Sequence, residues 1–463
     1  MSETEAGESR ADTTARAPSG PDRTRRPRIA AAVSAAVLFA GVAAVLALTT
    51  PWNPLPGHVP GGHVKADPAL DFSPAEIARS KAFDSAVNPP AYAGLAVGLV
   101  LILVLGLTPL GARLLGRVTA RRPRPLWLRV IVAALALTTL LRIAGLPFDI
   151  WSESVLRRYG LSTQSWPAWL VDQLKSLGVT WVIYAIALLL LYALVRRFPR
   201  YWWTGAAAGG FVLVVLVSFI YPIAVEPLFN KFHSLPQGRL RTELLDMAAR
   251  DGVPVKDVLV ADASRRTTSL NAYVSGFGST RRIVLYDTLL KSPRPQVESI
   301  VGHELGHAKR NDVLWGTLVG ALGISGALCL LYLLMTSPRL LRHAGLDPGG
   351  GPEPARGGGA ADPRSVALLL ALVTAGTTLA APVQNLVSRR IEARADAHAL
   401  NLTRDPSTFV SMQHELSVRN ISDLSPDAME YLLWLTHPSG PDRIAMARDW
   451  ARMHHVRVPP PLR

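Results

Sequence analysis

The sequence predicts an all-α membrane protein of about seven transmembrane helices, with an α+β domain at the membrane boundary. Three observations lead to this fold class. The 463-residue chain is 49% apolar and only 18% charged, whereas soluble globular chains carry about 25% charged residues. Seven apolar runs each reach the roughly 17–25 residues that a helix needs to cross a bilayer. Two long segments outside these runs are mixed polar and apolar, as expected of a domain outside the hydrocarbon core.

The apolar runs divide the chain into five segments. The runs are residues 29–48, 91–115, 126–146, 179–195, 203–225, 313–335 and 366–383. The predicted segments are a disordered basic arm (1–28), five transmembrane helices (29–225), the first part of the α+β domain (226–311), transmembrane helices six and seven (312–386) and the second part of the domain (387–463). A stretch rich in Gly, Pro and Ala separates helices six and seven, and it is predicted to be a flexible loop, residues 343–363.

The first apolar run has two interpretations. It follows Arg25, Arg26 and Arg28, so a cleaved secretory signal is the alternative to a membrane span. The run exceeds the roughly 7–15 residues usual for the apolar part of such a signal, so a retained span is preferred.

Arg142 lies near the end of the third run. We expect it to face protein or to reach the interface, because a charge is costly in lipid.

Charge and cysteine content narrow the classes of function. Lys and Arg exceed Asp and Glu by 49 to 34, a net charge of +15. Such an excess is compatible with nucleic-acid binding, but the arginines are dispersed and no nucleic-acid-reading motif is present in the sequence. We therefore expect the lipid bilayer, and no nucleic acid, as a partner. The single cysteine, Cys329, excludes an internal disulfide and a multi-cysteine zinc site.

A metal-binding motif, His-Glu-Leu-Gly-His, begins at His303. On a helix, His303 and His307 share one face and can bind one Zn²⁺. Glu304 lies about 100° around the helix, so it can reach water at the open coordination position instead of binding the metal. The helix is predicted to begin with Ser292 as its N-cap and Pro293 in its first turn. Two surface histidines on an amphipathic helix are the alternative interpretation.

A third protein ligand is required, because catalytic zinc has three protein ligands and one open position. Glu392 and Asp396 lie four residues apart, so a helix presents both carboxylates on one face. One can bind zinc, while the other accepts a hydrogen bond from a liganding imidazole. His398 is a competing ligand, but it points to a different face. The stretch between His307 and Glu392 holds a span, a loop and a span, so a transmembrane hairpin returns both halves of the site to one side.

With these motifs the chain resembles the type I CAAX prenyl proteases, integral-membrane zinc metallopeptidases related to the HtpX proteases. Beyond the two metal motifs, the resemblance covers segments along most of the chain. These are residues 146–148, 158–160, 221–222, 226–232, 271–273, 282–290 and the His-Pro at 437–438 followed by Arg443. The resemblance implies seven helices around an intramembrane chamber, capped by a zinc-metallopeptidase domain.

The resemblance also implies roles for the residues of the metal motifs. It implies one zinc ion per chain, bound by His303, His307 and Glu392. It further implies that Glu304 is the general base and that Asp396 supports a liganding histidine.

Other matching residues are implied to lie on the substrate side. His437 and Arg443 are expected near the scissile carbonyl or its oxyanion, and Asn271 and Ala272 in the substrate cleft. The residues themselves predict short strands at 258–261, 271–277 and 282–286, the last two joined by a turn that contains Gly278. An edge strand beside a zinc helix can hold an extended peptide by main-chain hydrogen bonds.

Two functions of different classes compete. The first is an integral-membrane zinc endopeptidase that hydrolyses peptide bonds with zinc-activated water and a Glu general base. Its substrate is a peptide or protein, with a membrane-associated one as an option. The second is a transporter or chaperone-like protein with a structural metal site. Three ligands with Glu304 beside them favour the first, because a structural zinc site is usually closed by a fourth ligand. The Arg- and Ala-rich, Lys-poor composition suggests a bacterial cell membrane. Membrane-protein quality control is then an alternative role to the cleavage of prenylated proteins.

Two arguments conflict on the side of the membrane that the zinc site faces. The resemblance implies a cytoplasmic protease domain. Arginines, however, concentrate before span one and in the loops between spans two and three, four and five, and six and seven, which share one side. Because positive loops stay in the cytoplasm, this distribution predicts a cytoplasmic N-terminus and a zinc site on the extracytoplasmic side.

Overall fold

A computed structural model of the protein describes residues 22–120, 125–276, 278–348 and 358–463. The first half of the chain is helical. Its helices are α1 (Asp22–Thr49), α2 (Pro68–Asp71), α3 (Pro74–Leu107), α4 (Pro109–Ala120), α5 (Leu126–Arg158), α6 (Trp166–Arg197), α7 (Trp202–Ile220) and α8 (Glu226–Phe229). A π-helical turn, Tyr221–Val225, joins α7 to α8.

The second half combines a small sheet with further helices. Its elements are β1 (Phe232–Ser234), α9 (Arg239–Arg250), β2 (Asp257–Ala261), β3 (Ala272–Ser275), β4 (Arg282–Tyr286), α10 (Arg294–Arg310), α11 (Asp312–Met335), α12 (Pro338–His343), α13 (Val366–Thr403), α14 (Pro406–Arg419), α15 (Ala428–Leu433) and α16 (Gly440–Met453).

Within the described ranges, seven helices are long and apolar enough to cross a membrane. They are α1, α3, α5, α6, α7 with its continuation into α8, α11 and α13. Together with the mixed sheet, they confirm the predicted fold class. Arg142 meets the expectation of facing protein, because it pairs with Asp149 at 2.6 Å and donates to Gln173 at 2.5 Å.

Some predicted boundaries are wrong. Helix α1 begins at Asp22, so residues 22–28 of the predicted disordered arm are helical, and residues 1–21 lie outside the described ranges. The second predicted span, 91–115, runs too far, because α3 ends at Leu107 and Thr108 is extended. Pro109 follows directly, and a residue that precedes proline is driven out of the helical region. Helix α3 also begins much earlier than predicted, at a Ser73–Glu76 capping box.

The predicted flexible loop, residues 343–363, is packed at both ends. Helix α12 ends inside it, and Ala344 and Leu346 are buried. On the far side, Pro363 and Ser365 are buried in a short 3₁₀ turn that leads into α13. Its centre, residues 349–357, lies outside the described ranges.

The four strands form one mixed sheet in the order β1-β2-β4-β3. Strands β2 and β4 are parallel, while β1 and β3 are antiparallel additions at the two edges. Three of the strands were predicted, but β1 was missed because three residues are too short to show a period. Strand β3 is shorter than predicted, since Gly276 has φ +90° and turns the chain away. Phe277, the predicted end of β3, lies outside the described residues.

Two large apolar clusters, and a smaller third one around Phe83 and Val155, stabilise the described part of the fold. The first lies among the membrane helices and includes Leu137 and Tyr332. The second lies between the sheet and helices α9, α10, α14 and α16, and includes Leu285 and Trp450. Phe72, from the segment between the first two spans, is fully buried in the second cluster. The α+β domain is therefore completed by a segment from the beginning of the chain.

Candidate metal centre and active site

The helix of the His-Glu-Leu-Gly-His motif is α10, and its start differs from the prediction. Ser292 is extended, and Pro293 occupies the N-cap position without a side-chain hydrogen bond. The proposed Ser292 cap is wrong, because the proline after it excludes a helical conformation at Ser292 and shifts the helix start by one residue. The buried stripe of α10 is present and includes Val297, Val301 and Leu305. These residues anchor α10 in an apolar cluster of the α+β domain.

Helix α10 passes into the sixth membrane helix through a single residue. Asn311 adopts the left-handed conformation, with φ 55° and ψ 39°, and α11 begins at Asp312. Asparagine tolerates this conformation better than most residues. Helix α13 is continuous from the seventh span through Glu392 to Thr403. A transmembrane hairpin therefore brings the two halves of the site together, as the sequence predicts.

A glycine allows α10 and α13 to approach closely enough for a shared site. A Cβ atom added at Gly306 would lie 3.0 Å from the Cβ of His398 on α13. That distance is tighter than ordinary van der Waals contact. The glycine between the two histidines of the motif therefore places their face next to Glu392.

Three side chains converge on one point at this helix contact. The Nε2 atoms of His303 and His307 lie 3.1 Å apart. A Glu392 oxygen lies 3.1 Å from Nε2 of His303, and the other lies 3.6 Å from Nε2 of His307. Tetrahedral ligand atoms held about 2.0–2.2 Å from a zinc ion stand roughly 3.3–3.6 Å apart. The three groups thus have the spacing that a tetrahedral metal ion requires.

The chemistry of these donor atoms also fits a cation. Both imidazole Nδ1 atoms face carboxylates, so both Nε2 atoms present lone pairs toward the same point. Among the described residues, Oε2 of Glu392 is buried without a hydrogen-bond partner. Two facing lone pairs and an orphaned carboxylate oxygen repel one another unless a positive ion lies between them.

Each histidine is oriented by a carboxylate that an arginine holds in turn. Nδ1 of His303 donates to Asp396 at 2.8 Å, and Arg443 contacts both oxygens of this buried carboxylate, with Nε at 2.7 Å. Such contacts fix the tautomer and the ring orientation of a metal-binding histidine. Asp396 therefore lies where a supporting carboxylate is expected.

A second support, of the same kind, was missed from the sequence. Nδ1 of His307 donates to Asp312 at 2.9 Å, and Arg394 of α13 pairs with the other oxygen of Asp312. Asp312 follows His307 by five residues. On an uninterrupted helix, two residues at this spacing lie on different faces, so Asp312 would point away from the histidine. The left-handed residue Asn311 makes the contact possible.

Glu304 lies beside the metal-binding group and takes no part in it. Its carboxylate is partly buried and accepts a hydrogen bond from the backbone N–H of Val274 in β3. Burial raises the pKa of the Glu304 carboxyl, against the opposing effect of His303 and His307. A raised pKa brings a carboxylate closer to the range in which it exchanges protons at neutral pH.

His437 and Arg443 occupy different sides of the group. His437 is 57% exposed, and its Nε2 lies 3.3 Å from Glu392 on the open side. The loop that carries it is anchored by Arg389 of α13, which donates to the backbone carbonyl of Leu435 in the loop and to that of Tyr431 in the preceding helix α15. Arg443 instead lies on the Nδ1 side of His303, engaged with Asp396. Its implied place at the oxyanion has no supporting contact here and stays a prediction.

The predicted substrate residues Asn271 and Ala272 lie at the edge of the sheet. The backbone N–H of Tyr286 donates to the carbonyl of Asn271, so Asn271 and Tyr273 face β4 in the ladder. The N–H and C=O groups of Ala272 and Val274 then point away from the sheet. Oδ1 of Asn271 accepts the Ala272 N–H at 2.9 Å. The side chain of Asn271 therefore shields one of the outward-facing amides.

His398, the competing metal ligand, is engaged elsewhere. Its Nε2 lies 2.9 Å from Asp251, which also pairs with Lys309 at 2.6 Å. The ring is thus engaged with Asp251 and is not part of the group formed by His303, His307 and Glu392.

The fold and this site define a multi-pass membrane metalloprotease. Comparison with known proteins agrees: the profile of Peptidase family M48 matches residues 234–451, and that of the CAAX prenyl protease N-terminal, five membrane helices, matches residues 92–231. The chain belongs to peptidase family M48.

Individual relatives extend over most of the chain. It is 29% identical over 387 residues to the "Uncharacterized metalloprotease YhfN" of Bacillus subtilis (strain 168), covering 83% of this chain and 88% of that protein. It is 30% identical over 313 residues to the CAAX prenyl protease 1 homolog of Arabidopsis thaliana, covering 65% and 69%. The crystal structure of S. mikatae Ste24p superposes with a TM-score of 0.73 at 20% identity, covering 91% of this chain and 99% of that one. This last similarity concerns the fold alone.

Proposed function

We propose that the protein is a zinc endopeptidase that cleaves polypeptides at the membrane boundary, with one zinc ion per chain. The observation that carries the proposal is the convergence of His303, His307 and Glu392 at tetrahedral spacing, with the carboxylate of Glu304 beside them. Zinc in such a group supplies Lewis-acid polarisation of a carbonyl and a more acidic water.

Glu304 acts as the general base. Its carboxylate takes a proton from the attacking water and delivers it to the leaving amine. In the structure the backbone N–H of Val274 holds this carboxylate at the edge of β3. His437, on the open side of Glu392, is placed to donate to the developing oxyanion.

Strand β3 binds the polypeptide. An extended peptide whose N–H groups donate to the outward-facing carbonyls of Ala272 and Val274 adds a strand to the sheet. Main-chain pairing tolerates many side chains, and it presents a peptide carbonyl to the group of His303, His307 and Glu392. The cleaved polypeptides are then extended segments that reach the membrane boundary.

The physiological role follows from location. The similarity to YhfN of Bacillus subtilis and the Arg-rich composition support a bacterial cell membrane. We therefore propose membrane-protein quality control as the role of the enzyme, in preference to maturation of prenylated proteins.

The test uses the full chain purified in detergent, stripped with a chelator and reloaded with zinc. Hydrolysis of an unfolded, fluorescence-quenched protein should vanish on chelation and return with zinc. Glu304→Gln should retain zinc and lose about 10²–10⁴-fold in rate, because Glu304 is a base and not a ligand. Hydrolysis that resists the chelator, or that survives Glu304→Gln, would refute the proposal.

A further inference from the structure

A cavity of about 580 Å³ lies between the edge strand β3 and the membrane helices. Helix α7, the π-helical turn after it and β3 supply most of its walls. Residues that line it include Leu213, Val214, Val217, Tyr221, Tyr273 and Val274. Its volume falls within the roughly 300–1,000 Å³ of small-ligand pockets.

Three of the polar side chains that line this cavity have hydrogen-bond partners of their own. The hydroxyl of Tyr273 donates to Glu226 at 3.3 Å. The hydroxyl of Ser218 lies 2.9 Å from that of Thr317, which ties α7 to α11. These hydrogen bonds satisfy Tyr273, Glu226 and Ser218, and most of the remaining lining residues are aliphatic, so the cavity offers an occupant a mainly apolar surface.

The cavity is continuous with the edge at which the proposed chemistry occurs. Val274 lines it and also donates its backbone N–H to Glu304. Side chains alternate along β3: Ala272 and Val274 pack on the apolar cluster beneath α10, whereas Tyr273 reaches Glu226 on the opposite face. A peptide paired with β3 alternates in the same way, so every second side chain lies on the Tyr273 face, beside the cavity.

We propose that this cavity is a specificity subsite for a large apolar side chain of the bound polypeptide, such as Leu, Met or Phe. The inference rests on the proposed function, because it takes β3 as the strand that binds the substrate. Side chains on the face of Tyr273 are two residues apart. The enzyme should therefore prefer apolar residues at every second position of the substrate, counted from the cleaved bond.

The test compares cleavage sites in a library of proteome-derived peptides digested by the zinc-loaded full chain in detergent. Val217→Phe fills the cavity. Val212→Phe is the matched control, because Val212 lies on the same helix, is 61% exposed and does not line the cavity. In the wild type, large apolar residues should exceed alanine about tenfold or more at one position, since a few buried methylenes are worth that much. Val217→Phe should abolish this preference, and Val212→Phe should keep it.

A second variant keeps the inference testable if Val217→Phe does not fold. Val217→Ala enlarges the cavity and should shift the preference from Leu toward Phe and Trp. Wild-type cleavage without any apolar preference, or a preference that neither variant changes, would overturn the proposal. So would a uniform loss of rate on all peptides that depends on added phospholipid, which would place a lipid chain in the cavity. If the wild type shows no chelator-sensitive cleavage, the proposed function itself fails.

Discussion

Replacing Asp396 by alanine should weaken metal binding although no metal ligand is removed. The carboxylate is fully buried between His303 and Arg443. The variant loses the acceptor that orients His303, and it leaves the guanidinium of Arg443 in a largely buried place without its carboxylate. Two separate losses follow, one in metal affinity and one in stability.

The two losses have different magnitudes. Removing a carboxylate that supports a metal-binding histidine costs about 10–100-fold in metal affinity, which is about 1.4–2.7 kcal/mol. Removing one partner of a buried ion pair costs about 3–5 kcal/mol of unfolding free energy. Asp396→Ala should therefore be destabilised even when no metal is added. Adding Arg443→Met should restore stability, since it removes the unpaired charge, but it should not restore metal affinity.

Asp312→Ala is the matched control, because Asp312 supports His307 in the same manner. Its arginine partner, Arg394, is 24% exposed, compared with 14% for Arg443. Water can therefore solvate Arg394 more easily after the carboxylate is lost. We expect a comparable loss of metal affinity and a smaller loss of stability.

The assay has two readouts on the detergent-solubilised full chain. Competition with a chromophoric chelator gives the metal affinity, and thermal unfolding of the metal-free protein, followed by tryptophan fluorescence, gives the change in stability. Unchanged metal affinity in Asp396→Ala would refute the orienting role of this carboxylate. Equal destabilisation by Asp396→Ala and Asp312→Ala would refute the argument from burial.

Three further predictions concern the ligand set, the fold and the topology. Glu392→Ala should lose tightly bound metal while His398→Ala keeps it, as measured by metal analysis; normal metal in Glu392→Ala would exclude Glu392 as the third ligand. Arg448→Met should lower the free energy of unfolding by about 3–5 kcal/mol, because this arginine belongs to a buried ion pair, and an unchanged thermal midpoint would contradict this. A cysteine at Met429, which is 63% exposed, in a Cys329→Ala background should react with a membrane-impermeant thiol reagent on intact cells; labelling only after lysis would place the domain in the cytoplasm.

The site residues that could be predicted from the sequence are those whose spacing places them on the same face of a helix. His303 and His307, or Glu392 and Asp396, share a face because four residues make about one turn. Their meeting across the long intervening stretch followed from a hairpin of two spans. The contact of Asp312 with His307 could not be predicted in this way. Asn311, a left-handed residue between them, interrupts the helix, so helical spacing no longer gives the direction of Asp312.

Contacts between distant segments were also beyond the reach of local patterns. The position of Arg443 beside Asp396 depends on how α16 packs against α13, and neither segment shows this in its own sequence. Thr108 is a different case, since the proline after it is a local signal that could have corrected the end of the second span. Strand β1 is recognisable only by its partner β2.

The segment that carries Asp71 and Phe72 has a consequence for biosynthesis. Asp71 pairs with Arg448, so the segment before α3 lacks its ion-pair partner until α16 has been translated. At roughly 5–20 residues per second, translation separates α10 from Arg443 by about 7–27 s. During that interval Arg443, which holds the Asp396 carboxylate beside His303, has not been made. The α+β domain also lacks α16. We therefore expect a nascent chain to acquire cleavage activity only after α16 has been translated.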